Sequence, residues 1–475
     1  MLSLSWSWGN SLKSIDIINT DRSHKATVIM LAWPIFVEQM LASLVQAADS
    51  AMVGSLGAAA TASVAINGAP NMLINQIFFA LGLGFTSLIA RSVGAGDEKK
   101  AKHLTEQSVT LVFIIGIILS FVTFSLARAI PAWMGGEELI LHDAEIYNRI
   151  LAVSLLFRAF TMVLTAIYRG YGDTHSPMVV NVLVNILNVI GNFFMIYPTR
   201  EIVILGHSFE VFGFGWGVAG AAVATSLSGI IGGLSLLLLS FRKNALVRIS
   251  FGRGMIPDGQ EMKMVFKIAT PAILERCIMS SAFIVVGRAI ASLGTVAVAA
   301  NNLAGTAESL SYMPGFAFGA AATTLFGQAI GAGKEELGKQ YVKETLQLGT
   351  IVMIAMTVLM FAFSGQIMEF FTPDLKVIEM GSVLLKILAI IQIPQMMSSV
   401  YSGAVKGAGD STTPFLIALA SMWGVRLLGA VFCVHVLGLG LYAVCVCTCV
   451  DNVVRFALFY HTYHKGTWRK RMAAF

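Results

Sequence analysis

Charged residues are scarce in this chain of 475 residues, and apolar residues are abundant. Only 12% of the residues are Asp, Glu, Lys or Arg, whereas 56% are hydrophobic. Because a soluble domain carries about 25% charged residues, the composition excludes an ordinary soluble protein and predicts an all-α polytopic membrane protein. Period-two alternation is also missing and the apolar runs are too long for strands, which argues against a membrane β-barrel.

Metal-binding, nucleotide-binding and catalytic motifs are missing as well. The chain has five cysteines, and Cys445, Cys447 and Cys449 follow a spacing that does not place three metal ligands on one helical face. We therefore expect the cysteines to pack within helices, with neither a metal nor a disulfide. The glycine-rich stretches at 94–96 and 331–333 lack the strand–loop–helix setting of a phosphate-binding loop and are typical of helix ends. The sequence thus predicts neither an enzyme nor a cofactor.

Twelve long apolar runs follow one another along the chain. About 20 such residues cross the hydrocarbon core of a bilayer as a helix, so each run is a predicted transmembrane helix. The approximate spans are 26–50, 61–90, 104–131, 144–167, 177–198, 214–241, 264–290, 297–328, 342–368, 379–404, 413–436 and 439–463.

The predicted helices divide into two sets of six. The predicted regions are a tail (1–25), an N-lobe (26–241), a connecting loop (242–262), a C-lobe (263–463) and a basic tail (464–475). The first tail lacks the apolar segment of a signal peptide. Basic residues concentrate on alternate loops, which by the positive-inside rule places both termini in the cytoplasm of a cell (inner) membrane. The outer segments hold Arg128, Arg149, Arg200 and Lys376.

The chain repeats itself at an offset of 237 residues. The matching positions include Pro34 and Pro271 (271 − 34 = 237), Glu38 and Glu275, Gly94 and Gly331, Arg169 and Lys406, and Asp173 and Asp410. Because each copy has an even number of helices, both copies enter the membrane in the same orientation, as parallel repeats around a central cavity do. The offset shortens to 223 between Gly215 and Gly438, which predicts about 14 extra residues around 199–212, in an outer loop.

A set of motifs in order gives a resemblance to a known family. The motifs are Pro34 with the Asp49–Gly54 segment, the paired Gly-Ala-Gly stretches, the Tyr168–Asp173 segment, the Gly217–Ala222 segment, and Gly327 with Gln328. Together they resemble the MATE (multidrug and toxic compound extrusion) family over about 25–465. The resemblance implies a V-shaped pair of six-helix lobes, and cation-driven export of organic, often cationic, compounds by alternating access.

Asp49 is the first candidate for an ion-coupling residue. Ionisable side chains within a membrane are costly and are therefore functional candidates. The resemblance matches Asp49 to the family's first-helix aspartate, which implies an H+ or Na+ site. A carboxylate there can exchange a proton, or hold Na+ if neutral oxygens surround it. The alternative is an aspartate at a helix end that is exposed to water.

Four asparagines form a stripe on the fifth predicted helix. Asn181, Asn185, Asn188 and Asn192 follow 4-3-4 spacing, which places them on one helical face. Four amides facing lipid would be costly, so this face must meet protein or a cavity. Asn188 matches the family's fifth-helix asparagine, and we predict that Asn185, Asn188, Asn192 and, on the next helix, Thr225 complete the ion site. The alternative is hydrogen bonding between helices.

Further residues are predicted to bind substrate or to bend helices. The substrate candidates are Glu38, Gln39, Asn181 and Glu275. For Glu275 the alternative is a structural pair with an arginine. Pro34 and Pro271 each free a carbonyl in the first helix of a lobe, and such kinks can serve as hinges or remain static.

The sequence as a whole predicts a cation-coupled antiporter, driven by H+ or Na+, that exports organic cationic or amphipathic compounds. Its partners would be small organic substrates, the coupling cation and the lipid bilayer, without nucleic acid, and a monomer is sufficient. One alternative is a flippase for lipid-linked saccharides or lipids, which Arg158, Arg276 and Arg426 keep open. A more remote one is an integral-membrane enzyme.

Overall fold

The computed structural model describes residues 17–18, 22–204, 207–242, 247–250 and 252–472. Most of the predicted first tail, parts of the predicted connecting loop (243–246 and 251) and the last three residues of the basic tail lie outside the described residues. The predicted division into two lobes with these boundaries stays a prediction.

The first half of the chain forms long helices and one strand pair. The elements are α1 (His24–Gly54), α2 (Ala58–Ala65), α3 (Gly68–Gly94), α4 (Glu98–Ser125), α5 (Ala129–Trp133), α6 (Glu138–Gly170), α7 (His175–Met195), β1 (Pro198–Ile204), β2 (His207–Phe214) and α8 (Gly217–Ser240). The second predicted span is broken between α2 and α3. There the buried Asn67 side chain donates to the carbonyls of Ser63 and Ala144 at 3.0 Å each, as asparagine does when it interrupts a helix.

The second half of the chain is helical throughout its described elements. These are a short 3-10 turn (Arg253–Met255), α9 (Gly259–Ala291), α10 (Thr295–Gly331), α11 (Glu335–Ala362), α12 (Ser364–Phe371), α13 (Leu375–Gly407), α14 (Thr412–Ala418), a π-helical segment (Leu419–Leu427), α15 (Leu428–His435), α16 (Leu441–Lys465) and α17 (Thr467–Met472). The eleventh predicted span is thus a composite of α14, the π-helical segment and α15.

The all-α polytopic fold predicted from composition is confirmed. Among the described residues, eleven helices are long and apolar enough to cross a membrane. Each predicted span except the eighth coincides with one of these eleven helices. The eighth span lies in α10, a helix of 37 residues rich in alanine and glycine that is not among the eleven. The protein is therefore a multi-pass integral membrane protein.

The extra segment before α8 is a hairpin rather than the predicted loop. β1 and β2 pair antiparallel, with Arg200 opposite Val211 and Glu201 opposite Glu210. The sequence there places β-branched and aromatic residues on both arms (202–204 and 209–212), which favours strands. The repeat offset reveals that residues are inserted, but it carries no information about their conformation.

Backbone contacts divide the chain into two compact units. The first unit contains residues 37–85 and 99–262, and the second contains 16–36, 86–98 and 263–475. In the first unit, α7 and α6 pack on α8. In the second, α10, α11 and α16 pack on α13 around a core that includes Ala300, Leu384 and Met422.

The segment that follows α8 is hydrogen-bonded to α4, within the first unit. Glu106 Oε1 accepts from the Ser250 backbone N–H at 3.1 Å and from its hydroxyl at 2.7 Å. Gln107 Nε2 donates to the carbonyls of Gly254 at 2.8 Å and Ile256 at 2.6 Å. A Cβ on Gly254 would overlap the Glu106 carboxylate. A side chain at this position would have to displace the Glu106 carboxylate from its bonds to Ser250.

The repeated aspartates cap helices as predicted. Asp173 Oδ1 accepts from the Ser176 backbone N–H at 2.9 Å, and Asp410 Oδ1 accepts from that of Thr413 at 3.0 Å. The two residues occupy equivalent places in the repeat (173 + 237 = 410). The following prolines, Pro177 and Pro414, lie in the first turn of α7 and α14, where their missing N–H costs nothing.

The last turns of α3 and α10 cross closely within the second unit. A Cβ on Gly94 would overlap the Gln328 carbonyl, and a Cβ on Gly331 would overlap the Arg91 carbonyl. These residues are related by the repeat (94 + 237 = 331 and 91 + 237 = 328). The glycine of each copy therefore packs against a carbonyl of the other copy, and the two contacts involve equivalent positions of the repeat.

Candidate functional site

A carboxylate and two amides meet between α1, α7 and α8, inside the first unit. Asn192 donates from Nδ2 to Asp49 Oδ1. With its amide nitrogen facing the carboxylate, Asn188 donates to Asp49 Oδ1 at 2.8 Å and accepts from the Thr225 hydroxyl at 3.1 Å. Four of the five residues that the sequence proposes for ion coupling are thus brought together, and we call them the Asp49 site.

The Asp49 site has no compensating cation. Among the described residues, no Lys, Arg or His nitrogen lies within ion-pair distance of Asp49. The amides around it are buried, with Asn188 at 5% and Asn192 at 1% exposure. In the described part of the chain, the buried Oδ1 atom of Asn192 has no hydrogen-bond donor. One carboxylate with neutral oxygen donors is the chemistry that accepts a proton or a hard monovalent cation.

The asparagine stripe on α7 serves two different carboxylates. Asn188 and Asn192, towards its end, face Asp49. Asn181, two to three turns earlier, donates to Glu38 Oε1 at 2.9 Å. Asn185 lies between these pairs, half-buried, and makes no side-chain hydrogen bond among the described residues. The periodicity therefore identifies the polar face of α7 correctly. It does not show that the asparagines on this face bond to two different carboxylates.

Glu38, a predicted substrate residue, is held by an arginine. Arg169 Nη2 lies 2.7 Å from Glu38 Oε2, and both side chains are largely buried, at 14% and 12% exposure. With Asn181 on the other oxygen, both carboxylate oxygens of Glu38 are engaged. Its neighbour Gln39, the remaining substrate candidate on α1, is half-buried and makes no side-chain hydrogen bond among the residues described.

Glu275 is held in the same way in the second unit. Lys406 Nζ lies 2.9 Å from Glu275 Oε2 and 3.1 Å from Oε1. Glu275 and Lys406 are the repeat counterparts of Glu38 and Arg169 (38 + 237 = 275 and 169 + 237 = 406). The partner is thus a lysine at the end of α13, not the arginine considered from the sequence. The sequence did contain a signal for this pairing, because in both copies the first position is acidic and the second is basic.

A second carboxylate, Asp451, is fully buried within the second unit. Arg426 Nε lies 2.9 Å from Asp451 Oδ2, and Arg455 Nη2 lies 3.1 Å and 3.0 Å from the two carboxylate oxygens. Arg455 Nε also donates to the Ser421 hydroxyl at 3.2 Å. We call these residues the Asp451 cluster. The i, i+4 spacing of Asp451 and Arg455 predicts one of these pairs, whereas Arg426, on the π-helical segment, has no such signal.

The two predicted hinge prolines lie inside long helices. Pro34 is in α1, and the boundary between the two compact units falls just after it, between Phe36 and Val37. Pro271 is in α9, where the boundary falls earlier, between Met262 and Lys263. Each proline removes one backbone hydrogen bond from its helix. Their role as hinges stays a prediction.

A family model named MatE matches the chain twice. The matched ranges are 34–194 and 271–432, and they begin at Pro34 and Pro271, one repeat length apart (271 − 34 = 237). Among similar sequences, the probable multidrug resistance protein NorM of Thermotoga maritima is 28% identical over 446 residues, covering 94% of this chain and 93% of the relative. The uncharacterized transporter YisQ of Bacillus subtilis is 26% identical over 450 residues, covering 94% and 96%.

Solved structures share the fold. A crystal structure of a MATE in complex with MaD3S superposes with a TM-score of 0.86 at 23% identity, covering 95% of this chain and 97% of the other. A MOP superfamily transporter from Pyrococcus furiosus gives a TM-score of 0.84 at 23% identity with the same coverage. The family model covers both halves of this chain and the fold agrees along its length. The chain therefore belongs to the MATE family and is a membrane transporter, not an enzyme.

Proposed function

We propose that this protein is an efflux antiporter that exports organic cationic or amphipathic compounds while H+ or Na+ enters. The names of its relatives support export of drugs, since NorM of Thermotoga maritima and MdtK of Yersinia pestis are both named multidrug resistance proteins. The observation that carries the proposal is the Asp49 site, a membrane carboxylate that has no Lys, Arg or His nitrogen within ion-pair distance among the described residues. Both termini would lie in the cytoplasm of the cell membrane.

The coupling ion would bind at Asp49. When the carboxylate is charged, the amides of Asn188 and Asn192 stabilise it by donating hydrogen bonds. A bound H+ would neutralise the carboxylate. A bound Na+ would instead be held by Asp49 together with amide oxygens, for which the free Oδ1 atom of Asn192 is available. Either ion removes a net negative charge from a spanning segment, where that charge is costly.

Ion binding would then change which conformation is populated. An ion shifts a conformational equilibrium only by its difference in affinity for the two states. Asp49 lies near the end of α1 and its partners Asn188 and Asn192 are on α7, while Thr225 on α8 bonds to Asn188. The charge state of Asp49 therefore decides how strongly α1 and α7 are tied together. Coupling free energies between sites in proteins are about 1–3 kcal/mol, which one charge-assisted hydrogen bond can supply.

The two glutamate pairs favour a structural role for Glu38 and Glu275. A cationic substrate would reach either carboxylate only by displacing Arg169 or Lys406, leaving a largely buried cation unpaired. Removing one partner of such a pair is costly. Among the four predicted substrate residues, Gln39 keeps a side chain without a hydrogen-bond partner in the described structure. We therefore expect direct substrate contact at Gln39 rather than at the glutamates.

The test is efflux of a fluorescent organic cation from proteoliposomes under an imposed Na+ or H+ gradient. Wild-type protein would be compared with Asp49→Asn. The matched control is Glu336→Gln, which removes a carboxylate with an 85% exposed side chain. We expect gradient-driven efflux in the wild type and the control, and its loss in Asp49→Asn. The ion whose gradient drives efflux is the coupling ion. Full efflux by Asp49→Asn would contradict the proposed ion site.

The flippase alternative is weakened by one observation. Arg426, which kept it open, forms an ion pair with the fully buried Asp451, so its charge is compensated within the protein. Lipid scrambling in the same proteoliposomes discriminates between the two functions. Scrambling of a labelled saccharide lipid without efflux under either gradient would favour the flippase.

A further inference from the structure

Two cysteines lie side by side at one end of the α15–α16 hairpin. Cys433 Sγ and Cys447 Sγ are 3.8 Å apart. Cys433 is two residues before the end of α15, and Cys447 is in the second turn of α16. The helices are joined by only five residues, 436–440. Both thiols therefore lie in the half of the hairpin where the two helices are connected.

The backbone around this pair is well fixed. The Leu439 N–H donates to the Cys433 carbonyl at 2.8 Å, and the Leu437 N–H donates to the Phe432 carbonyl at 3.1 Å. These bonds fold the connection back onto the end of α15. The turn is thus bonded to Cys433 itself, which fixes the backbone that carries one of the two thiols.

Space for the second thiol is provided by a glycine. A Cβ placed on Gly429, one helical turn before Cys433, would lie 3.1 Å from Cys447 Sγ. Cys447 thus sits in a groove on α15 formed by Gly429 and Cys433. Both thiols are partly exposed at the protein surface.

The other cysteines are placed differently. Cys449 Sγ donates to the Ile387 carbonyl at 3.7 Å, and Cys445 is buried at 7% exposure. Cys277 is exposed on α9. The spacing of the three cysteines on one helix argued against a metal site, and the sequence implied no disulfide. The structure instead brings together one thiol from each of two helices.

We propose that Cys433 and Cys447 form a reversible disulfide that fastens α15 to α16. Bond formation requires the sulfur atoms to approach from 3.8 Å to about 2.05 Å, so each moves by about 1 Å, which rotation about the Cα–Cβ bonds accommodates. By the predicted orientation, the connection at 436–440 lies on the outer side of the membrane. Disulfides persist in such oxidising surroundings.

The oxidant would be a small-molecule or protein disulfide. One cysteine, as thiolate, attacks the external disulfide, forming a mixed disulfide and releasing one thiol. The second cysteine then attacks the protein sulfur of that mixed disulfide and releases the second thiol. The two cysteines are oxidised by two electrons, the external disulfide is reduced, and the two protons end on the released thiols. Excess thiol reverses the sequence.

Peptide mapping of the full-length protein tests this proposal. The protein in detergent micelles would be incubated with oxidised glutathione, alkylated, and cleaved after Tyr442, which separates Cys433 from Cys447 in the sequence. We expect the two peptides to stay joined until a reductant is added. This measurement needs no substitution, so it does not depend on the folding of a variant.

Two variants localise the bond. Cys433→Ser should abolish the joined peptides, whereas the matched control Cys449→Ser, on the same helix as Cys447, should retain them. Only mixed adducts with glutathione, unmodified thiols, or a bond between Cys445 and Cys449 would each overturn the proposal. Transport is not the readout, so this test is independent of the proposed efflux function.

Discussion

Asp49 and Asp451 are both carboxylates within spanning helices, but the surroundings of Asp49 are neutral and those of Asp451 are positively charged. Asp49 is surrounded by the neutral side chains of Asn188, Asn192 and Thr225. Asp451 lies between Arg426 and Arg455. A carboxylate between two guanidinium groups has its charge compensated within the protein, whereas one among amides does not. Asp451 is therefore suited to holding helices together, and Asp49 is the residue proposed to exchange an ion.

The internal repeat sharpens this difference. The structural pair Glu38–Arg169 reappears as Glu275–Lys406. At the same offset of 237, Asp49 corresponds to Val286 (49 + 237 = 286), and both residues are in membrane-spanning helices. The stripe of four asparagines corresponds to Ala418, Met422, Val425 and Gly429. The repeat thus keeps the supporting ion pair, while the carboxylate and the asparagines of the proposed ion site are present in one copy.

The largest expected effect is on stability, at Asp451. Asp451→Asn removes the anion between two buried guanidinium groups, and breaking a buried pair in this way costs about 3–5 kcal/mol. We expect a marked fall in the melting temperature in detergent, measured by tryptophan fluorescence. Asp49→Asn, which leaves no cation unpaired, should melt close to the wild type. Equal destabilisation by both variants would contradict the comparison.

Next in size is the effect of removing an amide from the Asp49 site. Asn192→Leu takes away a hydrogen bond to a carboxylate, worth about 1.5–3 kcal/mol. The apparent affinity for the coupling ion should therefore change by at least tenfold, as measured by the ion concentration at half-maximal efflux. Asn185→Leu, on the same helix face but without a bond to Asp49, serves as control and should behave like the wild type.

The repeated ion pairs should respond equally in the two halves. Glu38→Gln and Glu275→Gln each leave a largely buried cation with a neutral partner, at a cost of about 1–2 kcal/mol. Both melting temperatures should fall by a similar amount, and Lys406→Arg, which makes the second pair resemble the first, should be tolerated. A drop in efflux at unchanged stability would instead assign the glutamates to substrate binding.

The smallest effect is expected at the repeated helix caps. Losing a capping side chain costs about 1 kcal/mol. Asp173→Ala should show about that loss of unfolding free energy, and Asp410→Ala a larger one, since Asp410 is only 2% exposed. The corresponding asparagine variants keep an acceptor oxygen and should recover most of the stability. Caps that behave alike in both halves would show that burial has no influence here.

The long elements could be predicted from the sequence, because lipid demands an apolar run for each crossing. Every predicted span has a helix at its place, and the capping roles of Asp173 and Asp410 follow from local spacing. Local spacing could not reveal the break at Asn67, because the Asn67 side chain bonds to the Ala144 carbonyl of another helix. The π-helical segment at 419–427 has no local signal either.

Part of the candidate site was also predictable. Asp49 and the asparagine face stand out because polar side chains are costly in lipid. Their partners could not be chosen, because Asn181 and Asn192 are on the same face yet bond to different carboxylates. The distance of 131 residues between Glu38 and Arg169 hides their pairing from any local pattern. Comparing charges between the two copies would have revealed it.

The crossing of α3 and α10 has a consequence for how substitutions act on the chain. Gly94 meets Gln328, and Gly331 meets Arg91, the same two positions exchanged between copies. Reciprocal contacts of this kind have the form of an isologous interface, which is found where two identical subunits pair about a twofold axis. In a dimer of identical subunits, one substitution would disrupt both contacts. In this single chain, a bulky residue at Gly94 or at Gly331 disrupts one contact and leaves the equivalent one in place.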